Sequence, residues 1–120
     1  MNNIALSYKD IVLQPEYSTL TSRRTANCKP IFLGKRFNSV AMPANMKCTI
    51  DFKMAELLGR QNYFYILHRF YDYNFILSWV KDNYKSFPIS ISVGVKDEDR
   101  NFVQSLPDYI DYITIDIERG

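Results

Sequence analysis

The chain is poor in the residues that mark several classes of protein. It has two cysteines in 120 residues, Cys28 and Cys48, too few for a disulfide framework or a thiolate metal cluster. With a single histidine, His68, the usual metal-ligand arithmetic is not met either. Glycine and proline number only four and five and fall singly, which excludes a low-complexity tract or a flexible linker and implies one structural unit over residues 1–120. No internal repeat appears. The longest uninterrupted apolar run, residues 63–67, falls far short of the roughly 20 residues a membrane-spanning helix needs. Met1-Asn-Asn-Ile-Ala lacks the basic and apolar design of a signal peptide, so a cytoplasmic protein without membrane partners is expected. Fifteen basic against thirteen acidic residues leave a formal charge of +2, too small and too dispersed to draw the chain to nucleic acid.

What is abundant is core material, 47% apolar and 15% aromatic. Residues 1–39 read as irregular, with short extended pieces at 11–13 and 30–33 around a polar stretch. After Ser39, short β-rich runs alternate with helical periods, the pattern of βαβ units and a parallel sheet. Strands are expected at 40–43, 64–67, 89–93 and 110–115. A helix opening at Asp51 carries Met54, Leu57 and Leu58 on one face. Another, capped by Asp72, carries Phe75, Ile76, Trp79 and Val80 and cannot continue through Pro88. A third, over 97–106, turns Phe102, Val103 and Leu106 inward, with Asp97, Glu98 and Asp99 at its electropositive start. The fold class is therefore α/β. Periodicity alone leaves open a barrel wall or a doubly wound sheet, although the G-x-G-x-x-G fingerprint of the second is missing.

Several strand ends deliver polar residues, as parallel sheets do where chemistry is carried at the carboxyl ends. Pro43-Ala-Asn-Met46 places Asn45 at such a rim, where its amide can bind a ligand or simply tie down the turn. His68-Arg69-Phe70 follows the second strand, and Arg69 supplies a permanent charge with planar donors, although a basic pair is more often a solvated loop. Gly94 after the third strand relieves crowding by a ligand or a neighbouring backbone, or is a plain turn residue. Asp116, after the fourth, brings a carboxylate to the rim or caps the next turn. The two cysteines are expected as buried or partly buried free thiols.

Tyr63-Phe-Tyr-Ile-Leu-His-Arg-Phe70, Pro43-Ala-Asn-Met46, Tyr112-Ile-Thr-Ile-Asp-Ile117 and the opening Leu6-Ser-Tyr-Lys-Asp-Ile-Val-Leu-Gln-Pro15 together resemble the amino-terminal half of the IMP dehydrogenase and GMP reductase barrel family, more closely its reductase branch. The resemblance runs from about Leu6 to Gly120. It implies a partial (β/α)8 TIM barrel, the first four β/α strands after an irregular amino-terminal segment. It also implies NADPH-dependent reductive deamination of GMP to IMP and ammonia in a homo-oligomer, a tetramer in the family. There a cysteine thiolate attacks the purine, a Thr and Glu pair assists departure of ammonia, and hydride from NADPH resolves the intermediate.

Carried onto this chain, the resemblance gives Arg69 and Asp116 supporting catalytic roles, Asn45 and Met46 the substrate-side rim, and Ser22, Arg23, Phe70, Asp116, Ile117 and Glu118 cofactor contacts. Ser22 and Arg23 match a pair that touches the cofactor of a neighbouring subunit; without the resemblance, Arg23 and Arg24 are a solvated basic turn. More distant relatives have Lys at Arg69, but Arg does not shed a proton, so a proton-relay role does not transfer. Glu118-Arg119 departs from the family's Asp-x-Ala-His/Asn-Gly pattern. Neither cysteine matches the family nucleophile, and the isolated 120 residues are expected to be inactive. Two alternatives are an IMP dehydrogenase-like barrel fragment and a non-catalytic half-barrel that self-associates through exposed strand edges.

Overall fold

In the computed structural model, which describes residues 6–117, a short antiparallel hairpin precedes three helices and a small parallel sheet. The hairpin pairs β1 (Ile31–Phe32) with β2 (Lys35–Arg36). Its turn uses Leu33 at φ 48 and Gly34 at φ 80, the left-handed conformation a two-residue connection requires. The expected extended piece at 30–33 thus becomes one arm of a reversal, while 11–13 forms no strand.

Helix α1 (Phe52–Arg60) starts where Asp51, in extended conformation, accepts the Met54 N–H at 2.8 Å. Its buried stripe differs from the expected one: Ala55 and Gly59 are buried, while Met54 and Leu57 are 39% and 51% exposed. The small residues win because they let the helix backbone approach the layer beneath, and Phe52 and Leu58 complete the contact. Helix α2 (Tyr73–Asn83) is capped by Asp72 and buries Ile76, Trp79, Val80 and Asn83, one residue or a turn apart along a single face; Phe75 points outward instead. Helix α3 (Asp97–Gln104) buries Phe102, with Val103 and Leu106 packed against the core as the periodicity implies.

The sheet is built on β3 (Ser90–Val93), whose four residues are all buried. It pairs in parallel with β4 (Tyr112–Ile115), in the register Ser90 to Tyr112 through Val93 to Ile115. On its other side the expected strand at 64–67 contracts to a single parallel bridge between Leu67 and Ile91. The Leu67 carbonyl there accepts the Ser92 hydroxyl at 2.6 Å in addition to the ladder contact of its N–H with Ser90. Residues 40–43 form no strand: Val40 and Met42 lie exposed, and Pro43 has no N–H to offer a ladder. Ile89, Ile91 and Val93 meet Leu67, Ile76 and Val80 in the core. Ser90 and Ser92, one residue out of phase, lie on the other face with Tyr112 and Thr114.

The hairpin closes the amino-terminal end of this sheet. Phe64 meets Phe32, Phe37 and Tyr112 in T-shaped contacts at centroid distances of 4.9, 5.3 and 5.3 Å. Asn62 donates from Nδ2 to the Arg36 carbonyl, and Asn38 donates to the carbonyls of Gln61 and Asn62. Asp111, just before β4, accepts from Lys35 Nζ and from the Ile89 N–H. Residues 6–29 are nearly all exposed, and the radius of gyration is 18.1 Å against about 13.6 Å for a packed chain of this length. Among the described residues no helix is long and apolar enough to cross a membrane.

Gly59 tests the close α1 approach. A Cβ there would stand 2.3 Å from Phe87 Cδ2, in a ring that is itself buried. Gly59→Ala therefore sets a helix-propensity gain of about 1 kcal/mol against an overpacking cost of roughly 1–3 kcal/mol, and the cost prevails. The urea midpoint of the variant is expected to fall. An unchanged or raised midpoint would mean that Phe87 swings aside freely.

Candidate active site

Three chain segments leave the sheet at its carboxyl end: residues 68–70 after the Leu67 bridge, Gly94 after β3 and Asp116 after β4. Parallel pairing puts them side by side. His68 is buried at 1% exposure, stacked on Tyr71 with centroids 4.3 Å apart, and its Nδ1 accepts the Phe70 N–H at 3.1 Å. That bond requires the neutral ring with its proton on Nε2. Burial, helped by the positive charge of Lys47, holds the His68 pKa below its ordinary value. The imidazole is thus a fixed bracket that shapes the backbone carrying Arg69.

Arg69 Nε lies 3.5 Å from Asp116 Oδ2, each side chain about one-third exposed, and its guanidinium carbon sits 4.9 Å from the centre of the Phe70 ring. Asp116 is anchored by its own N–H, which donates to the Val93 carbonyl at 2.8 Å. The pair is loose. Arg69 Nε is buried against Asp116 and makes no hydrogen bond among the described residues, which leaves the outer guanidinium nitrogens as the part of the one-third exposed side chain open to an acceptor.

Beneath it, Asp99 from the first turn of α3 is 6% exposed and accepts from the Tyr73 hydroxyl and, at 2.9 Å, from the Lys96 N–H. The Tyr73 bond, followed by the Lys96 and Gly94 N–H groups and the charge of Arg69, holds the Asp99 pKa below its usual range. Burial first, and then Asp99, pushes the Tyr73 phenol up to about 12. Gly94 has no side chain for a reason: a Cβ there would stand 2.6 Å from Asp99 Oδ2 and 3.1 Å from Arg69 Nη1. The nearest atoms at that point belong to the Asp99 and Arg69 side chains. The cluster opens on a cleft of about 590 Å³, lined among others by Arg69, Phe70, Tyr71, Tyr73, Lys96 and Asp99.

The other expected site residues stand as follows. Phe70 and Ile117 are 57% and 42% exposed beside the Arg69 and Asp116 pair in sequence. Asn45 is half-buried and Met46 55% exposed, in a turn where the Met46 carbonyl accepts from Thr49 and Ile50; Asn45 makes no hydrogen bond to Arg69 or Asp116. Ser22 and Arg23 lie on the extended amino-terminal segment, Ser22 capping a single 3-10 turn by accepting the Arg24 N–H at 3.2 Å. Glu118 lies outside the described residues. Both cysteines are exposed rather than buried, because Cys28 is on that same segment and Cys48 in the turn before α1. Among the described residues no three His, Cys, Asp or Glu side chains are placed to hold a metal. Tyr73 and Asp99 were not expected at the site. Asp99 reads from sequence as one of three helix-start acids, and only the fold singles it out.

No family model matches the chain. It is 40% identical over 124 residues to a GMP reductase of Shouchella clausii, covering 100% of this chain and 37% of that protein. It is 44% identical over 115 residues to the GMP reductase of Streptococcus gordonii, covering 94% and 35%. Against that of Bacillus subtilis the identity is 39% over 124 residues, covering 100% and 37%. A crystal structure of inosine 5'-monophosphate dehydrogenase from Legionella pneumophila superimposes with a TM-score of 0.73 at 25% identity, over 94% of this chain and 35% of that one. The resemblance read from the sequence is borne out, and the chain spans little more than a third of the length of the curated relatives it matches.

The His68 bracket has a pH signature. Its folded pKa lies below the ordinary value near 6.5, so the unfolded chain takes up the proton more readily. The stabilisation is whole above about pH 6.5 and is lost as pH falls through that value toward the folded pKa. His68→Gln should therefore lose less stability than the parent between pH 7.5 and 5.5 in urea titrations. Parallel losses would show that His68 does not titrate across unfolding.

Proposed function

We propose that this chain is the amino-terminal part of a GMP reductase barrel, its three-helix sheet being the first β/α units of a (β/α)8 TIM barrel. The complete protein would carry out NADPH-dependent reductive deamination of GMP to IMP and ammonia as a homo-oligomer. The observation that carries the reading is the meeting of Arg69 and Asp116 at the carboxyl ends of parallel strands, in a chain 36 to 44% identical to GMP reductases throughout.

The residues present fit the nicotinamide end of NADPH better than its phosphates. Arg69 and Lys96 share the cleft with Asp72, Glu98 and Asp99, and Asp116 adjoins it, a balance unfavourable to a polyanion. The one-third exposed Arg69 guanidinium and the exposed Phe70 ring suit an uncharged amide and an aromatic ring. Asp116 and Ile117 would flank the same group. Arg23, exposed on the amino-terminal segment beside Ser22, would supply a cation to a cofactor held by a neighbouring subunit. When bound, NADPH supplies hydride.

For this chain the work is electrostatic. Arg69 presents a fixed positive charge that neither gives nor takes a proton, and Asp116 keeps it oriented. Asn45 and Met46 would face the purine side. Neither cysteine is hydrogen-bonded to the Arg69 cluster among the described residues: Cys48 Sγ lies 3.7 Å from Thr49 Oγ1 in an exposed turn, and Cys28 is exposed on the amino-terminal segment. The purified 120 residues should thus oxidise NADPH in the presence of GMP no faster than the buffer does. Turnover above that background would overturn the assignment of roles.

A self-associating half-barrel is a second reading, favoured by one observation. β4 is paired on one side only among the described residues, and its Ile113 and Ile115 are 45% and 66% exposed beside Val95 and Val103. Sedimentation velocity separates the two: a discrete dimer supports association through that edge, and a stable monomer removes it.

A further inference from the structure

Two buried hydroxyls toward the amino-terminal end of the sheet make no hydrogen bond among the described residues, Ser90 Oγ of β3 and the Tyr112 hydroxyl of β4. We propose that these two groups hold one ordered water molecule in the small cavity between the hairpin and the sheet, as a fixed part of the fold.

Strand pairing brings the two side chains together. Ser90 and Tyr112 are register partners in the parallel ladder, so both project from the face opposite the helices. The Tyr112 ring also meets Phe64 at 5.3 Å, and Phe64 belongs to the segment on the far side of β3. The ring therefore reaches across β3 at the level of Ser90. Both residues line one cavity of about 10 Å³, shared with Phe37, Asn62, Phe64 and Pro88.

The size and the chemistry of that cavity select its occupant. Its volume is about that of a single water probe, which admits one water and no larger molecule. A buried water needs about two to four polar partners. Two other polar side chains that line the cavity are already engaged: the Tyr65 hydroxyl donates to the Pro88 carbonyl at 2.9 Å, and Asn62 Nδ2 donates to the Arg36 carbonyl at 3.0 Å. The Ser90 and Tyr112 hydroxyls remain. Each can donate and accept, so one water can accept from the first and donate to the second. Ser90 is 1% exposed and has no route to bulk solvent, and a buried hydroxyl left unpaired carries its full desolvation penalty. Ser92, the next residue on the same face, meets the same problem within the chain by donating to the Leu67 carbonyl at 2.6 Å. Ser90 makes no such bond, and the water takes that place.

A high-resolution crystal structure of the 120-residue chain tests the site directly. Expected is one solvent peak within about 2.7–3.0 Å of both Ser90 Oγ and Tyr112 Oη. An empty cavity, a peak on one hydroxyl only, or a direct bond between the two would overturn the proposal. In solution, urea unfolding of Ser90→Ala, Tyr112→Phe and the double variant gives a second readout. Each single change should raise the unfolding equilibrium constant roughly two- to tenfold. The double variant should lose no more than the larger single loss, because either change already releases the water. Factors that multiply in the double variant would mean two independent hydroxyls and would overturn the shared water. If a variant does not fold, the crystal structure of the parent chain decides alone. Both readouts are independent of the nucleotide chemistry proposed for the opposite end of the sheet.

Discussion

The parallel pairing of β3 on both sides is the constraint on which the remainder of the structure depends. β3 is buried along its length, takes β4 in full register on one flank and Leu67 on the other, and so gives three chain segments a common direction. Residues 69, 94 and 116, far apart in sequence, become neighbours because each is the next residue or two beyond a strand in that array. Had any one strand run the other way, its polar terminus would lie at the hairpin end, and Arg69 and Asp116 would not meet.

That direction divides the molecule by chemistry. The amino-terminal end of the sheet is closed by aromatic contacts and backbone-directed amides, which hold geometry. The carboxyl end gathers charge, a phenol and an imidazole around a glycine. Stability at one end and chemistry at the other is the division a barrel wall makes. The His68 ring belongs functionally to the first kind although it sits at the second, since its stacking and its single accepted hydrogen bond shape the loop and leave its protonation suppressed.

Much of this was legible in the sequence, and what was not has identifiable causes. Asp51 and Asp72 announced their helices because a capping carboxylate acts locally, whereas the face each helix buries was misread where Gly59 and Ala55 displaced larger residues. Burial of a small residue depends on how closely the next layer comes, which no periodicity records. β3 and β4 stood where β-branched runs predicted them. Residues 40–43 and most of 64–67 did not form strands, because a strand exists by its partners and only Leu67 found one. At the site, Arg69 and Asp116 were marked by strand-end position and by the family resemblance. Asp99 was hidden among three consecutive helix-start acids, and Gly94 had two readings until its neighbours were known.

The Asp111 carboxylate carries a consequence for how the molecule assembles. One of its oxygens takes the Ile89 N–H and the other takes Lys35, so the hairpin binds to a receptor that only the finished pair of later strands creates. Closing a loop of that length before the receptor exists would spend chain entropy without return. The hairpin must wait for strands made after it, and during synthesis residues 31–36 emerge before their seat is built.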